Sequence, residues 1–142
     1  MLTQIPQDLI DVYRSARYRV CDGAEKFVLQ IDTHSIDLAS LYRRTGQLSA
    51  LFITAFNPNG LQMQDDSIND VNQERLRQEL RAMTKHVLSG IGEDPNGLWR
   101  GESSWLALGL NLADSQELGR RYEQNAVLWA DADAIPRLTL LC

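Results

Sequence analysis

The stretch LSALFITAF, at residues 48–56, is the most strand-like part of the sequence. Its apolar character is almost unbroken, which leaves no polar side for water and predicts a central strand covered on both faces. The tetrapeptide Asn-Pro-Asn-Gly at residues 57–60 combines strong turn formers and is expected to end the strand abruptly. A buried strand of this kind predicts a sheet at the centre of the fold.

Predicted helices and strands alternate on either side of this strand. The helical spacing of apolar residues predicts helices at residues 6–16, 35–46, 70–88 and 114–123. Composition and turn residues predict further strands at residues 18–21, 26–31, 103–110, 126–130 and 137–141. The Gly-rich segment at residues 90–101 is expected to be a loop. The alternation predicts an α+β fold with a single mixed β-sheet and helices packed on it.

Three of the predicted helices carry more specific signals. Ser35 is expected to cap the second helix, which ends at Gly46. Asp114 is expected to cap the last helix, because Glu117 follows three residues later in the capping-box position. The long third helix carries an apolar stripe that is expected to face the sheet: Leu76, Leu80, Met83 and Val87.

Length, composition and charge bound the class of protein. The chain has 142 residues, 44% of them hydrophobic and 23% charged, which predicts one folded domain over residues 1–142. The formal net charge of -5 disfavours a general electrostatic attraction to nucleic acid or anionic lipid. No apolar run approaches the roughly 18 residues of a membrane span. We therefore expect no membrane partner and do not favour nucleic acid as one.

The cysteines and the first residues indicate a cellular compartment. Cys21 and Cys142 are far apart in the sequence and do not suggest a disulfide framework. Residues 1–6 lack the charged and apolar regions of a signal peptide. We therefore expect a cytoplasmic protein with reduced thiols.

The sequence lacks the local motifs of common cofactor and catalytic sites. It contains no Walker-type phosphate loop and no Gly-x-Ser-x-Gly nucleophile elbow. His34 and His86 are the only histidines, and no pair of Cys or His has local metal-ligand spacing. We therefore expect no metal and no cofactor.

Several polar residues fall at the boundaries of apolar strands. Asn57 follows the central strand, Glu102 precedes the strand at residues 103–110, and Gln124 and Asn125 precede the strand at residues 126–130. If the intervening helix makes a crossover between the last two strands, both begin at the same end of the sheet. If the central strand runs antiparallel to them, Asn57 leaves at that end as well. The four side chains would then line one cleft.

The loop at residues 92–99 adds Asp94 and Trp99 to the candidate binding residues. Trp99 either plugs the core or offers a platform on which a ligand stacks. Four of the other candidates also have a structural interpretation. Asn57 organises the turn, Glu102 is a surface or capping carboxylate, and Gln124 and Asn125 cap the preceding helix.

Five short patterns, taken in order, carry a resemblance to a known family. The most specific is Gly92-x-Asp94-x-x-Gly97-x-Trp99-x-x-Glu102-x-Ser104. The others are Tyr13-x-x-Ala16-x-Tyr18, Thr54-Ala55-x-Asn57-Pro58, Asn72-x-x-Arg75 and Gln124-Asn125-Ala126. Together they cover most of the chain, which resembles the bacterial family catalogued as domain of unknown function 3293. The family name implies no activity, substrate or catalytic residue.

Three classes of function fit these observations. The first is a binding or regulatory domain that holds a small polar ligand or a segment of a protein partner in the cleft. The second is a hydrolase or transferase in which Glu102 acts as general acid or base while the amides orient the substrate. The third is a nucleic-acid-associated protein that uses two arginine pairs: Arg43, Arg44, Arg120 and Arg121.

Overall fold

The fold is built from four helices and seven strands in the part of the chain that the structure, a computed structural model, describes: residues 5–56, 66–97 and 100–141. The helices are α1 (Gln7–Ser15), α2 (Ile36–Thr45), α3 (Asp66–Met83) and α4 (Leu112–Arg121). The strands are β1 (Arg17–Asp22), β2 (Glu25–Leu29), β3 (Ala50–Ile53), β4 (Val87–Glu93), β5 (Glu102–Leu108), β6 (Ala126–Ala130) and β7 (Pro136–Leu140). None of the described helices is long and apolar enough to cross a membrane.

The described strands form one sheet in the order β2-β1-β4-β5-β3-β6-β7. The predicted α+β fold with a single sheet is confirmed. The expectation of a mixed sheet is wrong, because every described pairing between neighbours is antiparallel. Strands β5 and β6 do run in the same direction, but β3 lies between them and is antiparallel to both.

Strand β3 is the buried centre that its apolar sequence predicts. All four of its residues are buried, and the ordered strand is shorter than the predicted span of residues 48–56. Successive side chains point to opposite faces. Phe52 packs with α2 residues on what we call the α2 face, while Leu51 and Ile53 pack with α3 and α4 residues on the α3 face.

Strand β4 replaces the end of the predicted long helix and part of the predicted loop. Helix α3 ends at Met83, which is exposed, and Val87 begins β4. The glycines within residues 90–101 predicted a loop. In the structure, Gly90 lies in β4 at a position that has no room for a side chain. A Cβ at Gly90 would lie 2.6 Å from the Arg19 carbonyl oxygen and 2.9 Å from a Phe52 ring carbon. The glycine there permits a close approach within the sheet.

Two of the predicted helix ends are confirmed and one is corrected. The Ser35 Oγ accepts a hydrogen bond from the Leu38 N–H at 3.0 Å, and Gly46 ends α2 with a φ of 74°. The last helix begins earlier than its capping-box signal predicted. The Asn111 side chain, not that of Asp114, is the N-cap, and it accepts a hydrogen bond from the Asp114 N–H at 2.8 Å.

Candidate functional site

A cavity of about 260 Å³ lies between α1 and the α2 face of the sheet. Leu9 and Val12 of α1 form one wall, and Phe52, Leu128 and Leu138 of the sheet form much of the other. The cavity sits at the end of the sheet where β5 and β6 begin and β3 ends. A cavity of this size suits a small organic molecule rather than a polypeptide.

Three of the predicted site residues line this cavity. Glu102 is the first residue of β5, and Gln124 and Asn125 immediately precede β6. They meet because β5 and β6 run in the same direction, so that both strands start at one end of the sheet. The end of β3 lies there too, and Thr54 just beyond it also lines the cavity.

The other three predicted site residues do not add to this lining among the residues described. Asn57 and Trp99 lie outside the described residues. Asp94 follows β4, where its Oδ1 accepts a hydrogen bond from the Asn96 N–H at 2.9 Å. This contact organises the turn after the strand.

The pairing of β1, β4 and β5 places an open position of the cavity between two polar side chains. Tyr18 of β1 is paired with Gly92 of β4, and Gly92 is paired with Glu102 of β5. Paired residues in antiparallel strands project from the same face, so these three positions form a row on the floor of the cavity. A Cβ at Gly92 would meet no atom within 4 Å. Gly92 therefore leaves open space between a phenol and a carboxylate.

Two side chains, one from β1 and one from the residue before β6, tie α1 over the cavity. The Tyr18 hydroxyl donates a hydrogen bond to the Tyr13 carbonyl oxygen at 2.6 Å. The Asn125 Nδ2 donates a hydrogen bond to the Tyr13 hydroxyl at 3.3 Å. Arg14 of α1 also pairs with Asp32 at 3.0 Å, although both side chains are more than half exposed and such pairs stabilise weakly. The wall formed by α1 thus depends on tyrosine and asparagine side chains of the site.

The Gln124 side chain has a structural role at the rim. Its Nε2 donates hydrogen bonds to the carbonyl oxygens of Phe56 and Tyr122, each at 3.1 Å. The bond to Phe56 joins the turn after α4 to the segment that follows β3. The predicted helix-capping role of Gln124 is consistent with the contact to Tyr122, the C-cap of α4.

Four hydroxyl-bearing residues that line the cavity were not predicted from the sequence: Tyr13, Tyr18, Thr54 and Ser104. Each of these residues belongs to one of the five short patterns that carry the family resemblance. The sequence alone indicated no role for it. In β1, Tyr18 and Val20 alternate with charged residues that are exposed. This alternation in the sequence predicts that the Tyr18 side chain points toward the core. No local signal places Tyr13 opposite Tyr18, because that contact depends on how α1 folds back onto the sheet.

The Tyr18 hydroxyl is held in its protonated form. Burial raises the pKa of Tyr18 above its ordinary value, and the nearby Tyr13 and Glu102 raise it further. The hydroxyl therefore stays a hydrogen-bond donor in the folded protein over the physiological range.

Alkaline pH is expected to destabilise the protein by ionising buried tyrosines. Burial is the main cause that raises the pKa of Tyr18, Tyr42 and Tyr122, three of the four tyrosines in the chain. The unfolded chain loses these protons near pH of about 10. The stability contributed by the protonated phenols is therefore present below that pH and lost as the pH rises toward the folded-state pKa values.

The check is a pH titration that follows tyrosinate absorbance and circular dichroism on the same samples. We expect most of the absorbance change in the native protein to coincide with loss of structure above pH of about 10, whereas in urea it should centre near 10. Titration of all four tyrosines near that value while the fold persists would contradict the assignment.

The two arginine pairs do not form one basic surface. Arg43 and Arg44 lie in the last turn of α2, on one face of the sheet. Arg120 and Arg121 lie in the last turn of α4, which packs on the other face. Arg44 pairs with Glu25, and Arg121 pairs with Glu79. Their placement gives no support to a shared contact with nucleic acid.

The fold and the cavity define this chain as an α+β protein whose sheet carries a small, largely apolar cavity with a polar end. A comparison with known families matches residues 53–127, more than half of the chain, to the family described as "Protein of unknown function (DUF3293)". The chain belongs to this family. Searches of curated proteins and of solved structures found no match.

Proposed function

We propose that the protein binds a small ligand with a polar group in the cavity between α1 and the sheet. The supporting observation is the cavity itself, in which apolar walls lead to a polar end formed by Glu102, Asn125 and Thr54. Apolar lining with a few convergent polar groups is typical of small-molecule sites. The apolar walls supply burial energy, and the polar end orients the ligand.

A binding role needs fewer assumptions than catalysis by Glu102. A general acid or base usually works with a second group that accepts, donates or orients a proton. Among the described residues that line the cavity, none is a histidine, cysteine or lysine. The Tyr18 hydroxyl already donates its proton in a hydrogen bond to the Tyr13 carbonyl oxygen, and the Tyr13 hydroxyl accepts a hydrogen bond from Asn125. We therefore favour Glu102 as a residue that contacts the ligand.

We also propose that residues 1–142 act as a single domain in the bacterial cytoplasm and that the protein uses no cofactor. Expression of the tagged protein in a bacterial host that carries its gene, followed by cell fractionation, tests the compartment. Recovery in the membrane or periplasmic fraction would contradict it.

The test of the binding role is the substitution Glu102→Gln, which removes the charge and nearly preserves the shape. A ligand is first identified by screening a fragment library against the wild-type protein by two-dimensional NMR. We expect Glu102→Gln to weaken its binding at least about tenfold, equivalent to about 1.4 kcal/mol, while the midpoint of urea unfolding changes little.

Glu93→Gln is the matched control. Glu93 is the neighbour of Gly92 in β4, but its carboxylate pairs with Arg19 at 2.8 Å and does not line the cavity. The control should bind the ligand like the wild type. If no fragment shifts the signals of cavity residues, or if Glu102→Gln lowers stability without affecting affinity, the proposed role is wrong.

A further inference from the structure

The cavity brings aromatic rings and a carboxylate together. Tyr13, Tyr18 and Phe52 line it along with Glu102. The rings of Tyr18 and Phe52 pack edge to face, with centroids 5.4 Å apart and an interplanar angle of 79°. Aromatic rings with a nearby carboxylate form a recurrent environment for organic cations, because the ring quadrupole and the negative charge both attract them.

Among the described residues that line the cavity, the charged side chain is acidic. Among the described lining residues Glu102 is the one acid, and there is no lysine, arginine or histidine. The phenol beside it resists ionisation, since burial raises the pKa of Tyr18. A ligand anion would meet a like charge in mostly apolar surroundings, which is unfavourable. A cation would instead meet the carboxylate and the aromatic rings.

We infer that the cavity binds a small organic cation, an ammonium group on a short apolar body, with the ammonium group between Glu102 and the rings of Tyr13, Tyr18 and Phe52. This inference rests on the proposed binding function and names the class of its ligand. A cavity of about 150 Å³ is large enough to hold benzene, so about 260 Å³ accommodates an ammonium group with several further carbon atoms. The apolar side chains Leu9, Val12 and Leu138 contact the body of the ligand.

Three probes of similar shape and different charge test this class. Choline carries a permanent positive charge, the alcohol in which a carbon atom replaces the choline nitrogen is neutral, and pivalate is an anion. Each is titrated into the 142-residue protein, and the backbone signals of cavity residues are followed by two-dimensional NMR. We expect choline to bind at least about tenfold more tightly than the neutral alcohol, and pivalate to bind more weakly than either.

The charge preference should depend on Glu102. In Glu102→Gln the ratio between choline and the neutral alcohol is expected to fall at least about threefold, while Glu93→Gln keeps the wild-type ratio. The NMR spectrum of each variant reports whether it is folded, so that loss of structure is not mistaken for loss of affinity.

Two results would overturn the inference in different ways. If the neutral alcohol or pivalate binds the cavity as tightly as choline, the ligand class is wrong although the proposed binding function stands. If choline gives no shifts at cavity residues, the class is also wrong. The fragment screen then decides separately whether the cavity binds any small molecule.

Discussion

Replacing Leu76 or Leu80 by alanine is expected to lower the free energy of unfolding by about 2–5 kcal/mol, as large-to-small core substitutions do. Both side chains are fully buried on the α3 face, where they pack with Leu51, Ile53 and Ala107 of the sheet. Truncation removes apolar contacts and leaves a cavity that the strands cannot close. Urea unfolding followed by circular dichroism measures the loss.

Met83→Ala is the control on the same helix. Met83 was predicted to share the buried stripe, but 46% of it is exposed at the end of α3. Its truncation is expected to change the free energy of unfolding by no more than about 0.5 kcal/mol. Equal losses at Met83 and Leu80 would show that the face of α3 toward the sheet is assigned incorrectly.

Two glycines of β4 on the same face of the sheet are expected to respond oppositely to alanine. Gly90→Ala places a Cβ against the Arg19 carbonyl oxygen and the Phe52 ring, and we expect it to lower the free energy of unfolding by about 1–3 kcal/mol. Gly92→Ala places a Cβ in the open cavity. We expect it to be neutral or to stabilise by up to about 1 kcal/mol, because alanine restricts the unfolded chain.

Urea unfolding of the two variants side by side checks this pair. Since both are Gly→Ala changes two residues apart in one strand, differences in backbone propensity largely cancel. A loss at Gly92 as large as that at Gly90 would mean that the space above Gly92 is filled, and the cavity would then be absent.

The sequence predicted the elements whose patterns are local. The apolar run at residues 48–56 indicated the central strand, because only a doubly covered strand accommodates Leu51 and Phe52 next to each other. Ser35 and Gly46 bounded α2 correctly, since a cap acts within one turn of the helix. Strand β4 was not predicted, because its glycines have low strand propensity and its stability comes from pairing with β1 and β5.

The part of the candidate site that depends on the direction of the strands could be predicted from the sequence. Glu102, Gln124 and Asn125 come together because two strands connected through a helix start at the same end of the sheet. The order and direction of the strands are therefore enough to predict that these residues meet. The contribution of α1 was not predictable, because Tyr13 reaches the site through tertiary contacts with Tyr18 and Asn125.

We propose the space above Gly92 as the ligand site, and comparing ligand binding by the wild type and by Gly92→Leu tests this proposal most simply. The leucine side chain would fill the cavity between Tyr18 and Glu102, while Ser103→Leu adds the same bulk at an exposed position on the opposite face of β5. In NMR titrations with the tightest fragment, we predict that Gly92→Leu remains folded and loses binding, whereas Ser103→Leu binds like the wild type. Binding by folded Gly92→Leu with wild-type affinity would contradict the claim.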